Sequence, residues 1–141
     1  MTWESDIEEL KKREKFAEKM GGEEKLLKQK ENKRLNVRER IELLLDKNTF
    51  HEIGKIAGKA VYNDEGELIE FKPSNFVMGR GLIEGRNVVV GGDDFTVRGG
   101  AADASIAQKQ IMSEQLANEY RLPLIRLIEG TGGGGSVKSL D

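Results

Sequence analysis

The sequence predicts an α/β fold, preceded by helices at the N-terminus and incomplete at its far end. Three observations carry that expectation. Strand-like runs at 76–83 and 87–90 are followed by a helix-period stretch at about 103–120 and another strand-like run at 124–128. Most of the 17 glycines fall in this second half, and two clusters of them, Gly99-Gly100 and Gly132 to Gly135, come directly after strands. Lys and Glu instead concentrate in residues 4–47, where strong helix formers dominate. The order strand, strand, Gly-Gly, helix, strand, Gly-rich loop is an αβ layer pattern, without the next helix and strands that a sheet needs.

Residues 4–31 give a thin apolar stripe, Ile7, Leu10, Phe16 and Met20, interrupted by Gly21-Gly22 and resumed at Leu26-Leu27. That is too sparse for a core helix and predicts a charged helical arm, residues 1–33, lying across another surface. A second helix is expected from Asn36, which with Glu39 three residues on makes a capping-box pattern. Val37, Ile41, Leu44 and Leu45 keep helical spacing, and Asp46-Lys47-Asn48 reads as the exit. Thr49–Ile53 alternates like a short strand, with His51 facing solvent. Residues 54–74 are hydrophilic, carry a turn signal at Asn63-Asp-Glu-Gly66, and read as a poorly ordered excursion.

The clearest hairpin is Phe76–Ile83 with Asn87–Val90 around Glu84-Gly85-Arg86, its three valines reading as a strand buried on both faces. Phe95-Thr-Val97 is expected to be a third short strand. The next helix has Asp103 as its N-cap, with Ala104, Ala107 and Ile111 as one apolar row and Met112, Leu116 and Tyr120 as its neighbour. Pro123 opens the last strand, Leu124–Ile128.

Several functions are excluded by composition. Cysteine is absent and His51 is the single histidine, which rules out a disulfide scaffold, a thiol nucleophile and a thiolate or histidine-rich metal site, so no metal is expected. The net charge of −2 gives no electrostatic case for nucleic acid. No run approaches the roughly 20 apolar residues that span a bilayer, and the acidic N-terminus lacks an apolar h-region, so a cytoplasmic protein is expected.

The glycine clusters carry the chemistry. Glycine after a buried strand lets backbone N–H groups face a substrate with no Cβ in the way, and paired N–H groups can hold a developing oxyanion. Other readings of Gly130-Thr-Gly-Gly-Gly-Gly-Ser136 stay open on the residues alone. It lacks the Lys-Ser/Thr register of a P-loop, fits a Gly-x-Gly-x-x-Gly fingerprint only weakly, and has the composition of a flexible spacer.

Longer motifs resemble a known family. Arg34-Leu-Asn-Val-Arg-Glu-Arg-Ile-Glu-Leu-Leu-Leu-Asp46 with Thr49-Phe50, then Asp94-Phe-Thr-Val-Arg-Gly-Gly100, Ala107-Gln-Lys109 and Arg121-Leu-Pro-Leu-Ile125, are similar in collinear order to the beta subunits of propionyl-CoA and methylcrotonyl-CoA carboxylases. The resemblance covers residues 34–138. It implies a crotonase-like (ClpP/crotonase) fold of repeated ββα units, with 34–141 as the truncated start of an acyl-CoA carboxyltransferase N-terminal domain.

It also implies transfer of a carboxyl group between carboxybiotin and an acyl-CoA α-carbon, with biotin arriving on a biotin carboxyl carrier or biotin carboxylase subunit and the full-length subunit forming a homo-oligomer. Gly132 and Gly133 match the family's Ser-Gly-Gly-Ala loop as backbone oxyanion donors, and Gly99 and Gly100 fall on the CoA side, with Arg98 near a phosphate or simply at the surface. Glu129-Gly-Thr stands where the family has Asp-Ser, and Gly134-Gly135-Ser136 stands where it has Ala and often a long side chain after it. These departures leave substrate and direction open, so a decarboxylase of the same fold or a non-catalytic interaction protein are alternatives. The cysteine-rich zinc ribbon of the bacterial acetyl-CoA branch is absent. The isolated chain is expected to be a fragment without turnover.

Overall fold

A computed structural model describes residues 3–100 and 106–130. Three helices come first, α1 (Glu4–Glu18), α2 (Glu23–Glu31) and α3 (Val37–Leu44). Strands β1 (His51–Ile53), β2 (Gly58–Tyr62), β3 (Leu68–Pro73), β4 (Phe76–Ile83) and β5 (Arg86–Asp93) follow, then a 3-10 turn at Arg98–Gly100, α4 (Ala107–Tyr120) and β6 (Leu124–Leu127). The main sheet has the order β1-β4-β5-β6, antiparallel except for the parallel pair β5–β6.

Local chemistry explains the elements that position the site. Asn36 accepts from the Glu39 amide at 3.0 Å and the Glu39 carboxylate accepts from the Asn36 amide at 2.9 Å, which is the expected capping box. At the far end of α3, Asp46 accepts from the amides of Glu84 and Gly85 at 2.9 and 2.8 Å. Both turn residues are left-handed, so the helix exit fixes the β4–β5 hairpin. The three valines are buried as expected. Val88 and Val90 join Val77, Val37, Ile41, Leu45 and Met20 in one core on the α3 face. Strand alternation turns Phe76, Met78 and Val89 to the other face, which α4 covers.

Four expectations are corrected. Residues 54–74 are not a loose excursion but mostly the β2–β3 hairpin, closed by Asn63, whose side chain accepts from the amides of Glu65 and Glu67. The hairpin is ordered from outside: Leu68 and Phe71 are buried, and Lys12 of α1 donates to Leu68 O at 2.5 Å. Phe95–Val97 is a turn, not a strand, because the Asp94 side chain captures both the Thr96 amide and the Thr96 hydroxyl. The last helix begins at Ala107 behind an extended Ile106 at the N-cap; Asp103 and Ala104 lie outside the described residues. Finally, of the residues expected in the apolar rows of α4, Ile111, Met112 and Tyr120 are 50%, 49% and 60% exposed, and the row Lys109, Ser113 and Ala117 is buried instead. The bulk of Phe76 and Met78 on the sheet leaves room for small helix residues at closest approach.

Candidate functional site

Because β5 and β6 are parallel, their carboxyl ends lie on the same side, the place where open α/β sheets bind ligands. The chain leaving β5 turns at once. Asp94, 2% exposed, accepts from the Thr96 amide at 2.9 Å and the Thr96 hydroxyl at 2.5 Å. The Thr96 hydroxyl oxygen in turn accepts from the Gly21 amide at 2.9 Å, tying the α1–α2 junction to this turn. Burial pushes the Asp94 carboxyl above its ordinary value, and the hydrogen bonds from Thr96 oppose that.

Arg98, Gly99 and Gly100 then take left-handed conformations with φ of 50, 63 and 70°. Gly100 donates its amide to Val97 O at 3.1 Å. A Cβ on Gly100 would run into the carbonyl oxygen of Glu129. The loops leaving the two parallel strands therefore meet, Gly100 against Glu129–Gly130. Glu129 is held there from two directions: its amide donates to Asp93 Oδ2 at 3.3 Å, and its carboxylate pairs with Arg40 Nη1 at 3.3 Å. Gly132 and Gly133 lie outside the described residues, which reach Gly130 beside Gly100.

A groove of about 770 Å³ reaches Val97 and Arg98 at the start of the same turn. Its apolar wall includes Phe16, Met20, Phe71 and Val97, and among the described residues Lys19, Lys25, Lys59, Lys72 and Arg98 line it with one acid, Glu70. Such a surplus of cations suits a ligand carrying phosphates. His51 is exposed at the start of the edge strand β1, as expected, and takes no part.

The sequence reading missed a buried cation. Lys109 is 6% exposed in the first turn of α4, with its Cε near Gly54. Burial holds its amine down at about 8, partly offset by Glu52. Glu52 is itself held by a bidentate pair with Arg38, at 2.7 and 2.9 Å. The one available signal was its place in the row with Ser113 and Ala117, two small residues that suit a closely packed helix face. Among the described residues no group of three or more His, Cys, Asp or Glu could hold a metal ion, and no helix is long and apolar enough to cross a membrane.

Comparisons with known proteins give the chain's family and fold. The profile of the carboxyl transferase domain family matches residues 28–140. A propionyl-CoA carboxylase carboxyltransferase subunit of Haloferax mediterranei is 32% identical over 132 residues, covering 94% of this chain and 26% of that protein. The methylmalonyl-CoA decarboxylase subunit alpha of Veillonella parvula is 31% identical over 121 residues, covering 86% of this chain and 24% of that protein. Among solved structures, transcarboxylase 12S with methylmalonyl-CoA and methylmalonic acid bound superposes with a TM-score of 0.78 and 28% identity, over 99% of this chain and 28% of that one. The chain thus spans about a quarter of the length of the relatives it matches. The likeness bears out the crotonase-like α/β architecture expected from the motifs.

Proposed function

The chain belongs to the carboxyl transferase domain family, and from that footing we propose that it is the acyl-CoA-holding portion of a carboxyltransferase subunit of a biotin-dependent acyl-CoA carboxylase. In this reading a carboxyl group passes between carboxybiotin, delivered by a biotin carboxyl carrier partner, and the α-carbon of an acyl-CoA. The observation that carries it is the contact of Gly100 with Glu129–Gly130 at the carboxyl ends of β5 and β6. The contact supports the reading because Gly130, two residues before Gly132 in the sequence, lies against Gly100. In this assignment the amides of Gly132 and Gly133 would stabilise the thioester oxyanion formed as the α-carbon gains or loses the carboxyl group, with Gly99 and Gly100 on the CoA side. The cationic groove beside the turn supports a phosphate-bearing substrate. The proposal includes a cytoplasmic, homo-oligomeric subunit; transcarboxylase 12S is described as a hexamer.

The test is carboxyl transfer from [14C]carboxybiotin to acyl-CoA by the complete subunit. Gly132→Val or Gly133→Val is expected to lower turnover about 10²–10³-fold while acyl-CoA still binds. Unchanged turnover removes the assignment. The decarboxylase relative supports a second reading. It predicts that transfer from a [14C]carboxyacyl-CoA to biotin, with the acyl-CoA left behind, is favoured over the forward transfer when the assay is run in both directions.

A further inference from the structure

Glu129 stands directly before Gly130, and three separate contacts hold it. Its amide donates to Asp93 Oδ2 at 3.3 Å, its carbonyl oxygen lies where a Cβ on Gly100 would run, and its carboxylate accepts from Arg40 Nη1 at 3.3 Å. The first two come from the strand ends beside it. The third comes from α3, 89 residues away in the chain. That helix is a firm base. Its capping box fixes the first turn, Val37 and Ile41 on its inner face are buried, and Gly92 of β5 lies so close to Val37 that a Cβ would strike its side chain. Arg40 therefore reaches the loop from an element packed independently of it.

The charges around Glu129 give that reach its importance. Asp93 and Asp94 close β5 next to it. Burial is the main reason the Asp94 carboxyl lies above its ordinary value, and the charge of Glu129 adds to it. Three carboxylates thus crowd the ends of two parallel strands, and like charges at close range repel. Arg40 offsets this from the α3 side, and its side chain and that of Glu129 are only 26% and 20% exposed, so water and salt screen the pair incompletely. Without the guanidinium, Glu129 would be pushed away from Asp93 and Asp94, and the chain leaving β6 would go with it.

The loop leaving β5 is anchored by other means. Asp94 and Thr96 close its turn, Thr96 takes the Gly21 amide, and Gly100 donates to Val97 O. Of the two loops that meet at the site, Arg40 holds one. We propose that Arg40 is a positioning residue for carboxyl transfer: by holding the Glu129 carboxylate it fixes the direction in which the chain leaves β6, and so aims the segment carrying Gly132 and Gly133 at the thioester. It acts through Glu129 and touches no substrate. This role deepens the carboxyltransferase reading above and rests on it.

The experiment is steady-state carboxyl transfer by the complete subunit, with kcat and the KM for acyl-CoA resolved for the wild type, Arg40→Met, Glu129→Ala and the double variant Arg40→Met/Glu129→Gln. Arg40→Met is expected to lower kcat about tenfold or more, as displacement of a reacting group by about an ångström does, while KM stays within about threefold. Its Tm is expected to fall by only a few degrees, as for a partly exposed ion pair. Glu129→Ala is expected to give the same split in milder form, since it removes the anchor without leaving an unpaired charge. Lying in a loop, it decides the matter if Arg40→Met does not fold. The double variant is expected to recover part of the kcat lost in Arg40→Met, because the repulsion goes with the Glu129 charge; a merely structural contact gives no such recovery. An unchanged kcat in Arg40→Met and Glu129→Ala, a raised KM with kcat intact, or a double variant no faster than Arg40→Met overturns the role of Arg40 and leaves the carboxyltransferase reading standing. A wild-type subunit that transfers no carboxyl group in either direction overturns both.

Discussion

Two buried polar side chains set the energetics of the seam between the helices and the site. Lys109 is pulled down to about 8 by burial, against an ordinary value of 10.5. Between those values the unfolded chain binds more protons than the folded one, so stability rises with pH across that window. The wild-type chain is expected to gain up to about 3 kcal/mol from this group between pH 8 and 10.5. Lys109→Met is expected to be the more stable chain at pH 7 and to lose that advantage by pH 10.5, in urea denaturation at both pH values; parallel profiles for the two proteins would refute the buried-ammonium account. Thr96 is the second case. Its hydroxyl accepts from Gly21 and donates to Asp94, so Thr96→Val strands the Gly21 amide and removes one of the two hydrogen bonds to Asp94 Oδ1, the residue-96 amide keeping the other. The expected cost is about 1–3 kcal/mol, read as a lower urea midpoint at unchanged m-value. Neither role was legible in the sequence. A lysine and a threonine are ordinary residues for a helix and for a strand, and what distinguishes them here comes from partners 57 and 75 residues away, Glu52 and Gly21.

Elements whose chemistry is local were legible, and elements ordered from a distance were not. Asn36 and Glu39 signal α3 because both halves of the capping box lie within four residues. Asn36→Ala is expected to cost about 0.5–2 kcal/mol, checked by thermal or urea unfolding. The β4–β5 hairpin was visible for the same reason. The β2–β3 hairpin was not, since a register shift at Val61/Tyr62 breaks its alternation and α1 supplies its cover. The apolar rows of α4 did not mark its buried side, where Lys109, Ser113 and Ala117 lie instead. The Gly99–Gly100 pair was expected directly after a strand and instead follows the Phe95–Val97 turn, and what it packs against was not legible. Only the parallel pairing of β5 with β6 brings Gly100 against Glu129. Gly100→Ala meets that carbonyl at a left-handed φ of 70°, so the two loops are expected to part. Weaker acyl-CoA binding, by tenfold or more, with secondary structure retained by circular dichroism is the expected result; unaltered binding would detach the loop contact from function.

The whole molecule depends on the segment that looks most expendable in sequence. Residues 1–33 read as a charged arm, and Ile7, Leu10 and Leu27 are indeed exposed. Yet Ala17 is buried and Met20 sits in the core with Val37, Ile41, Val77 and Val90. Gly21 lies so close to Thr96 that a Cβ would strike its carbonyl, Glu18 pairs with Lys55 at 2.5 Å, and Lys12 caps a carbonyl of β3. The arm therefore closes one end of the α3-face core and lines the 770 Å³ groove. Emptying a buried methionine site alone costs about 2–5 kcal/mol, a large share of the roughly 5–15 kcal/mol that holds a domain together. Deleting residues 1–33 is accordingly expected to lower the Tm steeply or leave a chain with no cooperative transition, and to abolish acyl-CoA binding in the same preparation. A shortened chain that melts cooperatively at the parent temperature would show instead that the arm is an appendage, and that the core seen around Met20 contributes little to the stability of the fold.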